Sequence, residues 1–165
     1  RLITLYIISI ISIMSCNKGN TNAGKVVEIY LFQTFQTVPG KCRVDSSVSV
    51  LQQTALIKNQ DIVSYSHLSY QFTLTDAGMA KINALKDFTA FAVTVDKEVM
   101  YYGILKQFTS SSSCDHSIVM TVDFTSNNKL NMGLGYPGMM QDVPIDDQRN
   151  HAKLLATLAS QGKLK

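Results

Sequence analysis

The side chains able to do chemistry are few, and their spacing limits what they can do. The chain carries three histidines, His67, His116 and His151, and three cysteines, Cys16, Cys42 and Cys114. Only one tight cluster forms among them, Cys114-Asp115-His116. As a metal site the trio is too contiguous. Three consecutive residues do not easily converge on one ion, and Zn²⁺ wants four ligands, or three and a water. No metal is expected, and no cofactor. As a nucleophile, Cys114 would need His116 as its base and a thiol that stays reduced. The plainer reading is a loop in which Asp115 satisfies backbone N–H groups and Cys114 is buried or bridged. The acidic pairs Asp146-Asp147 and Asp76 with Asp87 read as solvated carboxylates, because paired-carboxylate hydrolysis needs two groups facing across a cleft. Gly133-Leu134-Gly135 runs into Tyr136-Pro137, so it does not open a helix as a dinucleotide loop must.

The remaining candidates are binding groups. Tyr101-Tyr102 could stack on a ligand, although packing on a sheet face accounts for such a pair as well. Arg149 could bind an anion, but a salt bridge to Asp146 or Asp147 is the default. A working surface is expected at Tyr101, Tyr102, Asp115, Tyr136 and Arg149. The first four lie on the aromatic strand, the serine loop through Asp115 and the Leu134-Gly135-Tyr136-Pro137-Gly138 exit, and Arg149 follows in the arm beyond.

These residues must be held by a scaffold, and the hub of that scaffold is Leu68 to Leu105. Leu68, Tyr70, Phe72 and Leu74 alternate with Ser69, Gln71 and Thr73, the period of a half-buried strand. Thr75 is placed to cap a helix, with Asp76 in its first turn and Met79, Ile82 and Leu85 on one face. Gly78 inside that helix would let it approach the sheet. Phe91 to Val95 predicts a strand, Asp96-Lys97-Glu98 a turn, and Val99 to Lys106 a returning strand. The apolar run Val99 to Leu105 suggests a strand covered on both sides or an interaction surface. Before the hub, Val26 to Phe32 predicts a strand and Ser47 to Leu51 a short one. Leu56-Ile57 could plug a loop into the core, and Asp61 to Tyr65 is ambiguous between helix and strand. After it, the alternations Ile118 to Phe124 and Leu130 to Leu134 predict a hairpin turning at Ser126-Asn127-Asn128. Asn150 predicts the cap of a final helix with Leu154, Leu155 and Leu158 inward, and Gly162 suits its end. The expected fold is α+β: an antiparallel sheet of five or so strands, a strand–helix–hairpin unit of split βαβ type, and a C-terminal helix.

At 165 residues, with 45% apolar and 16% charged side chains, the chain is long enough for one ordinary domain with a real core. A net charge of +3, with no cluster of Lys and Arg, gives no footprint for a nucleic acid, and none is expected as a partner. The first segment, Leu2 to Met14, is almost wholly apolar. It is shorter than the roughly 20 residues of a spanning helix and fits a secretory signal. The chain opens at Arg1 without a Met, which suggests a truncated start. Cys42 and Cys114 would then lie in an oxidising compartment. They allow one bridge, worth roughly 3–4 kcal/mol in the chain-entropy account, or two unpaired thiols.

Ile13-Met14-Ser15-Cys16 resembles the lipobox of bacterial lipoproteins. There the signal is cut before the cysteine, whose thiol carries a diacylglycerol. The resemblance implies a signal peptide at 1–15, lipid attachment at Cys16, a tether over 16–25 and a single domain over 26–165. Asn17 follows the cysteine where an Asp would imply inner-membrane retention, which points to the periplasmic face of the outer membrane. Asp61-Ile62, Tyr70 to Gly78 and Phe91 to Val99 resemble the periplasmic head subdomain of SecD, a subunit that assists protein export. The hairpin departs from that family in having Asp96-Lys97-Glu98 where Asp-Gly is preferred. The whole chain also resembles a group of small bacterial lipoproteins, through DIVSY at Asp61, FAVTV at Phe91, SSSCD at Ser111 and LGYPG at Leu134. Together these imply a non-enzymatic, membrane-anchored module that binds another envelope protein. The alternative is a small-ligand or peptide binder that uses the 99–105 strand as an open sheet edge.

Overall fold

A computed structural model describes residues 24–123, 128–140 and 142–165. Its framework is one eight-stranded sheet, with a helix after the fourth strand and another near the C-terminus. The strands are β1 (Val27–Thr34), β2 (Val50–Leu51), β3 (Ile62–Ser66), β4 (Gln71–Leu74), β5 (Thr89–Val95), β6 (Glu98–Leu105), β7 (Cys114–Val122) and β8 (Lys129–Tyr136). The helices are α1 (Asp76–Asn83) and α2 (Ala152–Ser160). The order across the sheet is β2-β1-β5-β6-β7-β8-β4-β3. The fold is therefore α+β, as the patterning predicts, with more strands than expected.

Two expectations about topology are corrected. The sheet is not wholly antiparallel: β6 and β7 run parallel, with Gly103, Ile104 and Leu105 beside Ile118, Val119 and Met120. The strand–helix–hairpin unit is also not a split βαβ, which sets its two strands parallel. β6, β7 and β8 lie between β4 and β5, and the chain of pairings makes those two strands antiparallel. The cause is the link over residues 106–113, which doubles back along β6 instead of turning as a hairpin.

Both helices lie on one face of the sheet. Met79 and Ile82 of α1 and Leu154 and Leu158 of α2 pack in one cluster with Ile29, Phe72, Phe91, Val93 and Met120. Local chemistry places each helix. The Thr75 hydroxyl accepts from the Gly78 N–H at 3.1 Å, capping α1 as its position predicts. A Cβ at Gly78 would stand 3.3 Å from those of Asp61 and Leu74, so this glycine does allow a close approach. The cap of α2 is His151 instead of Asn150: its Nδ1 accepts from the Lys153 N–H. Asn150 is engaged elsewhere, accepting from the Tyr65 hydroxyl and donating to the His67 carbonyl. At the other end Gly162 adopts φ +68°, and Gly162 and Lys163 donate to the Ala159 and Leu158 carbonyls. That pairing satisfies the last orphan carbonyls of the helix.

The opposite face carries a smaller cluster of Phe32, Val44, Ala90, Ala92, Ile104, Cys114 and Val119. Residues 35–51 and the 106–113 link lie over it, and Cys42 is bonded to Cys114. The half of this face formed by β8, β4 and β3 is polar instead, with Asn131, Gln71 and Ser66 in one row and Gln71 donating to Asn131 at 2.6 Å. Both sheet edges are covered. β1 bonds to the chain around Gln52, Leu56 and Ile57, and β3 pairs with the tail through Tyr65 and Lys163.

Three local expectations shift. Asp61 to Tyr65 resolves as a 3-10 turn followed by strand β3. Leu68 leaves β4 and is 81% exposed, because Tyr70 takes a left-handed φ of 53° that ends the alternation. The short strand begins at Val50 instead of Ser47. Ile57 does plug the core, and its exposure is nil. The turn expected at Ser126-Asn127-Asn128 falls largely on residues outside those described.

Candidate functional site

The aromatic strand β6 sits fourth of eight strands, which rules out the open edge expected for Val99 to Leu105. Its downstream half is held between β5 and β7. Gly103 makes that possible. A Cβ there would lie 2.3 Å from the Phe91 ring and 2.6 Å from the Ile118 carbonyl oxygen. Upstream, the β6–β7 register ends at Gly103 and Ile118, while β7 stays attached to β8 as far as Cys114 and Tyr136. The two strands fork. A cavity of about 360 Å³ occupies the fork, walled by residues 43–46 on one side and by 144–146 and Gln148 on the other.

The expected surface residues divide around this fork. Tyr101 and Tyr102 both line the cavity. Tyr101 is 4% exposed and belongs to the helix-side core, which corrects its assignment to a surface. Its hydroxyl has no hydrogen-bond partner among the described residues, and burial drives its pKa well above the usual phenol value. Tyr102 points to the other face, against Phe32 at 5.9 Å between ring centres. Asp115 is held by its neighbour, His116 Nδ1 lying 2.6 Å from its carboxylate, and this hydrogen bond lowers its pKa. His116 lines the cavity and Asp115 does not.

Arg149 is also interior, at 8% exposure, which corrects its place on a working surface, while the salt bridge expected as its default is present, to Asp147. Its Nε and NH2 donate to Asp147 at 2.8 and 2.7 Å, its NH1 donates to the Met132 carbonyl, and its guanidinium stacks 3.6 Å above the Tyr70 ring. Tyr65 donates to the Arg149 carbonyl oxygen. The contacts with Met132, Tyr70 and Tyr65 tie the 142–150 arm to the sheet, and the Asp147 pair within the arm orients the guanidinium, so the role of Arg149 is to fasten it.

Tyr136 serves a second concavity. Its hydroxyl donates to the Phe108 and Ser110 carbonyls and so holds the 106–113 link. Sequence patterning missed the anchor of that link, Lys106, which is 1% exposed. Its ammonium donates to Asp87 and to Ser112, both at 2.8 Å, and lies 5.7 Å from the Phe88 and Tyr136 ring centres. Burial raises the Asp87 pKa, but hydrogen bonds from Lys106, the Gln107 N–H and Ser110 outweigh it and hold the carboxyl below its ordinary value. Beside this anchor lies a groove of about 1150 Å³ floored by Val119, Gly133 and Thr121. The 106–109 stretch, the end of α1 and the Tyr136-Pro137-Gly138 turn border it. Phe108 is 74% exposed at its rim, and the chain runs from Gly138 into Met139 and Met140, 67% and 51% exposed. No sequence signal marked these three, because single exposed apolar residues in loops carry no period.

The Cys114–Cys42 bond takes the sulfur away from any nucleophilic role beside His116. Among the described residues, no three His, Cys, Asp or Glu side chains gather to hold a metal, and no helix is long and apolar enough to cross a membrane. Cys16 lies outside the described residues.

Comparison with protein families, with curated proteins and with solved structures finds no match to this chain.

Proposed function

We propose that the protein is a lipid-anchored module of the cell envelope, facing the periplasm from the outer membrane, that binds another envelope protein without catalysing a reaction. The observation that carries this reading is the groove rimmed by Phe108 and continued by Met139 and Met140. Large apolar side chains gathered on a monomer's surface mark interaction sites, and Met adapts its shape to a partner. The link and turn that present them are fixed from below by Lys106, Asp87 and Tyr136, so the rim is a built surface. The bridge between Cys42 and Cys114 supports an oxidising compartment, and the lipobox at Cys16 supplies the anchor. The SecD-head likeness extends, on this reading, to the α1 cap and the β5–β6 hairpin and implies no export activity.

A photo-crosslinking residue at Phe108, in cells, tests the proposal. It should give a discrete adduct with one envelope protein, and the same residue at exposed Leu68 should not. Phe108→Asp combined with Met139→Asp should abolish co-purification of that protein while leaving the circular dichroism spectrum unchanged. Equal adducts at both positions, or none at Phe108, would overturn it. Cys16→Ser should release the chain from the membrane fraction.

A further inference from the structure

The fork between β6 and β7 is separate from that groove and has its own chemistry. Parallel neighbours ordinarily stay paired along their length, yet this pair parts after three register positions. The space between them is lined by apolar groups from the two strands, Val99, Tyr102 and Ile118. Its walls carry charge. On the 38–46 side stands Arg43, exposed, its guanidinium making no hydrogen bond or ion pair among the described residues. On the 144–148 side stands Asp146, whose carboxylate accepts one hydrogen bond among the described residues, from the Gln148 side chain to Oδ1. A buried hydroxyl without a partner, that of Tyr101, belongs to the lining. Leaving such a group unpaired is unfavourable, and native proteins leave few of them so.

We infer that the fork binds a small zwitterion with an apolar side group, a free amino acid or a dipeptide. Arg43 meets the carboxylate and Asp146 the ammonium from opposite walls. Val99, Tyr102 and Ile118 take the apolar group, and the Tyr101 hydroxyl gains a hydrogen bond on binding. A volume of about 360 Å³ is at the small end of ligand sites and suits a ligand of this size. Among the described residues neither charge is held in an ion pair: the Asp45 carboxylate, which feels the Arg43 charge, is bonded by Ser47, and this leaves both charges for a ligand that carries the two opposite ends. The Arg43 wall is held in place by the adjacent Cys42 bridge.

Calorimetric titration of the whole chain with four probes tests this: phenylalanine, glycyl-phenylalanine, phenylacetate and phenethylamine. One of the two zwitterions should bind saturably, and the single-charge probes about tenfold more weakly or not at all. Arg43→Gln and Asp146→Asn each alter an exposed side chain, so the fold persists; each should weaken binding about tenfold. Tyr101→Phe gives a sign that a structural role would not. Removing an unpartnered hydroxyl leaves the melting temperature of the free protein unchanged or higher, while affinity for the zwitterion falls. The inference is overturned if no probe saturates, or if phenylacetate or phenethylamine binds as well as the zwitterions. Unchanged binding in the Arg43 and Asp146 variants overturns it too, as does a Tyr101→Phe protein that binds normally.

Discussion

At the scale of single residues, the buried cations have the largest structural consequences. Arg149 has three kinds of partner at once: a carboxylate, a backbone carbonyl and an aromatic face. Arginine suits all three, because its guanidinium is planar and its donors are fixed in a fork. A methionine would fill the space and lose every bond. We expect Arg149→Met to destabilise the fold by about 2 kcal/mol, the scale of losing a charge-assisted hydrogen bond and stranding a carbonyl. Urea unfolding checks it. The partner Asp147 predicts a pH dependence. Its hydrogen bond from Arg149 holds its pKa below the ordinary carboxylate value. Above that ordinary value, near 4, the carboxyl is ionised folded and unfolded alike, and the pair contributes in full. As pH falls through the lower folded value, the unfolded chain has already taken up its proton and the contribution disappears. Asp147→Asn should therefore be less stable than the parent at pH 7 and show a shallower fall in stability between pH 5 and 2. Parallel curves would show that the pair contributes nothing.

At the scale of elements, the β5–β6 hairpin shows what its sequence said and what it hid. A turn at Asp96-Lys97 was legible because charged residues interrupt two apolar runs. The type was not, since both residues take left-handed φ values, 51° and 66°, where Asn-Gly is the usual choice. Asp96 tolerates the conformation through bonds with the residue just before β1: its N–H donates to the Val26 carbonyl and its carboxylate accepts the Val26 N–H. Among the described residues Lys97 makes no such bond. A non-glycine residue there costs about 1–2 kcal/mol, against roughly 0.5–1 kcal/mol for the extra freedom glycine loses on folding. Lys97→Gly should raise stability by up to about 1 kcal/mol, read as a higher urea midpoint with an unchanged slope. The α1 cap and the C-terminal helix end were equally legible, being set by local bonds. The parallel β6–β7 pair was not. Nothing in the apolar runs of 99–105 and 118–124 distinguishes a hairpin from a link that doubles back. What decides it is Lys106, and a lone lysine after an apolar run reads as an ordinary strand end. Its burial depends on Asp87, Ser112 and Tyr136, all distant in sequence or hidden in loops. Candidate site residues fared by the same rule: Tyr101 and Tyr102 were found as aromatics, but the cavity beside them comes from a fork that no periodicity encodes.

At the scale of the whole molecule, the Cys42–Cys114 bond joins the cover over residues 35–51 to strand β7. The helix-side core is continuous and includes the largest buried side chains, among them Tyr65, Phe72 and Phe91. The opposite cluster is small, and its cover over residues 35–51 has little regular structure: a bridge between Thr37 and Val44 and the two-residue β2. Cys42 and Cys114 are 72 positions apart, so their bridge closes a loop large enough for a chain-entropy contribution of about 4 kcal/mol. The two clusters should respond differently when it is cut. Replacing both cysteines by serine should lower global stability by roughly 2–4 kcal/mol and leave the helix-side core folded, because no residue of that core depends on the bridge for a partner. The loss should concentrate in the cover. Amide exchange is expected to accelerate most at Val38 and Asp45, whose N–H groups bond within the cover, while Ile29, Phe91 and Met120 stay protected relative to the new global limit. Trypsin should then cut first at Lys41 or Arg43. If exchange instead rises evenly across both faces, the cover and the core form one cooperative unit, and the bridge stabilises the sheet as a whole.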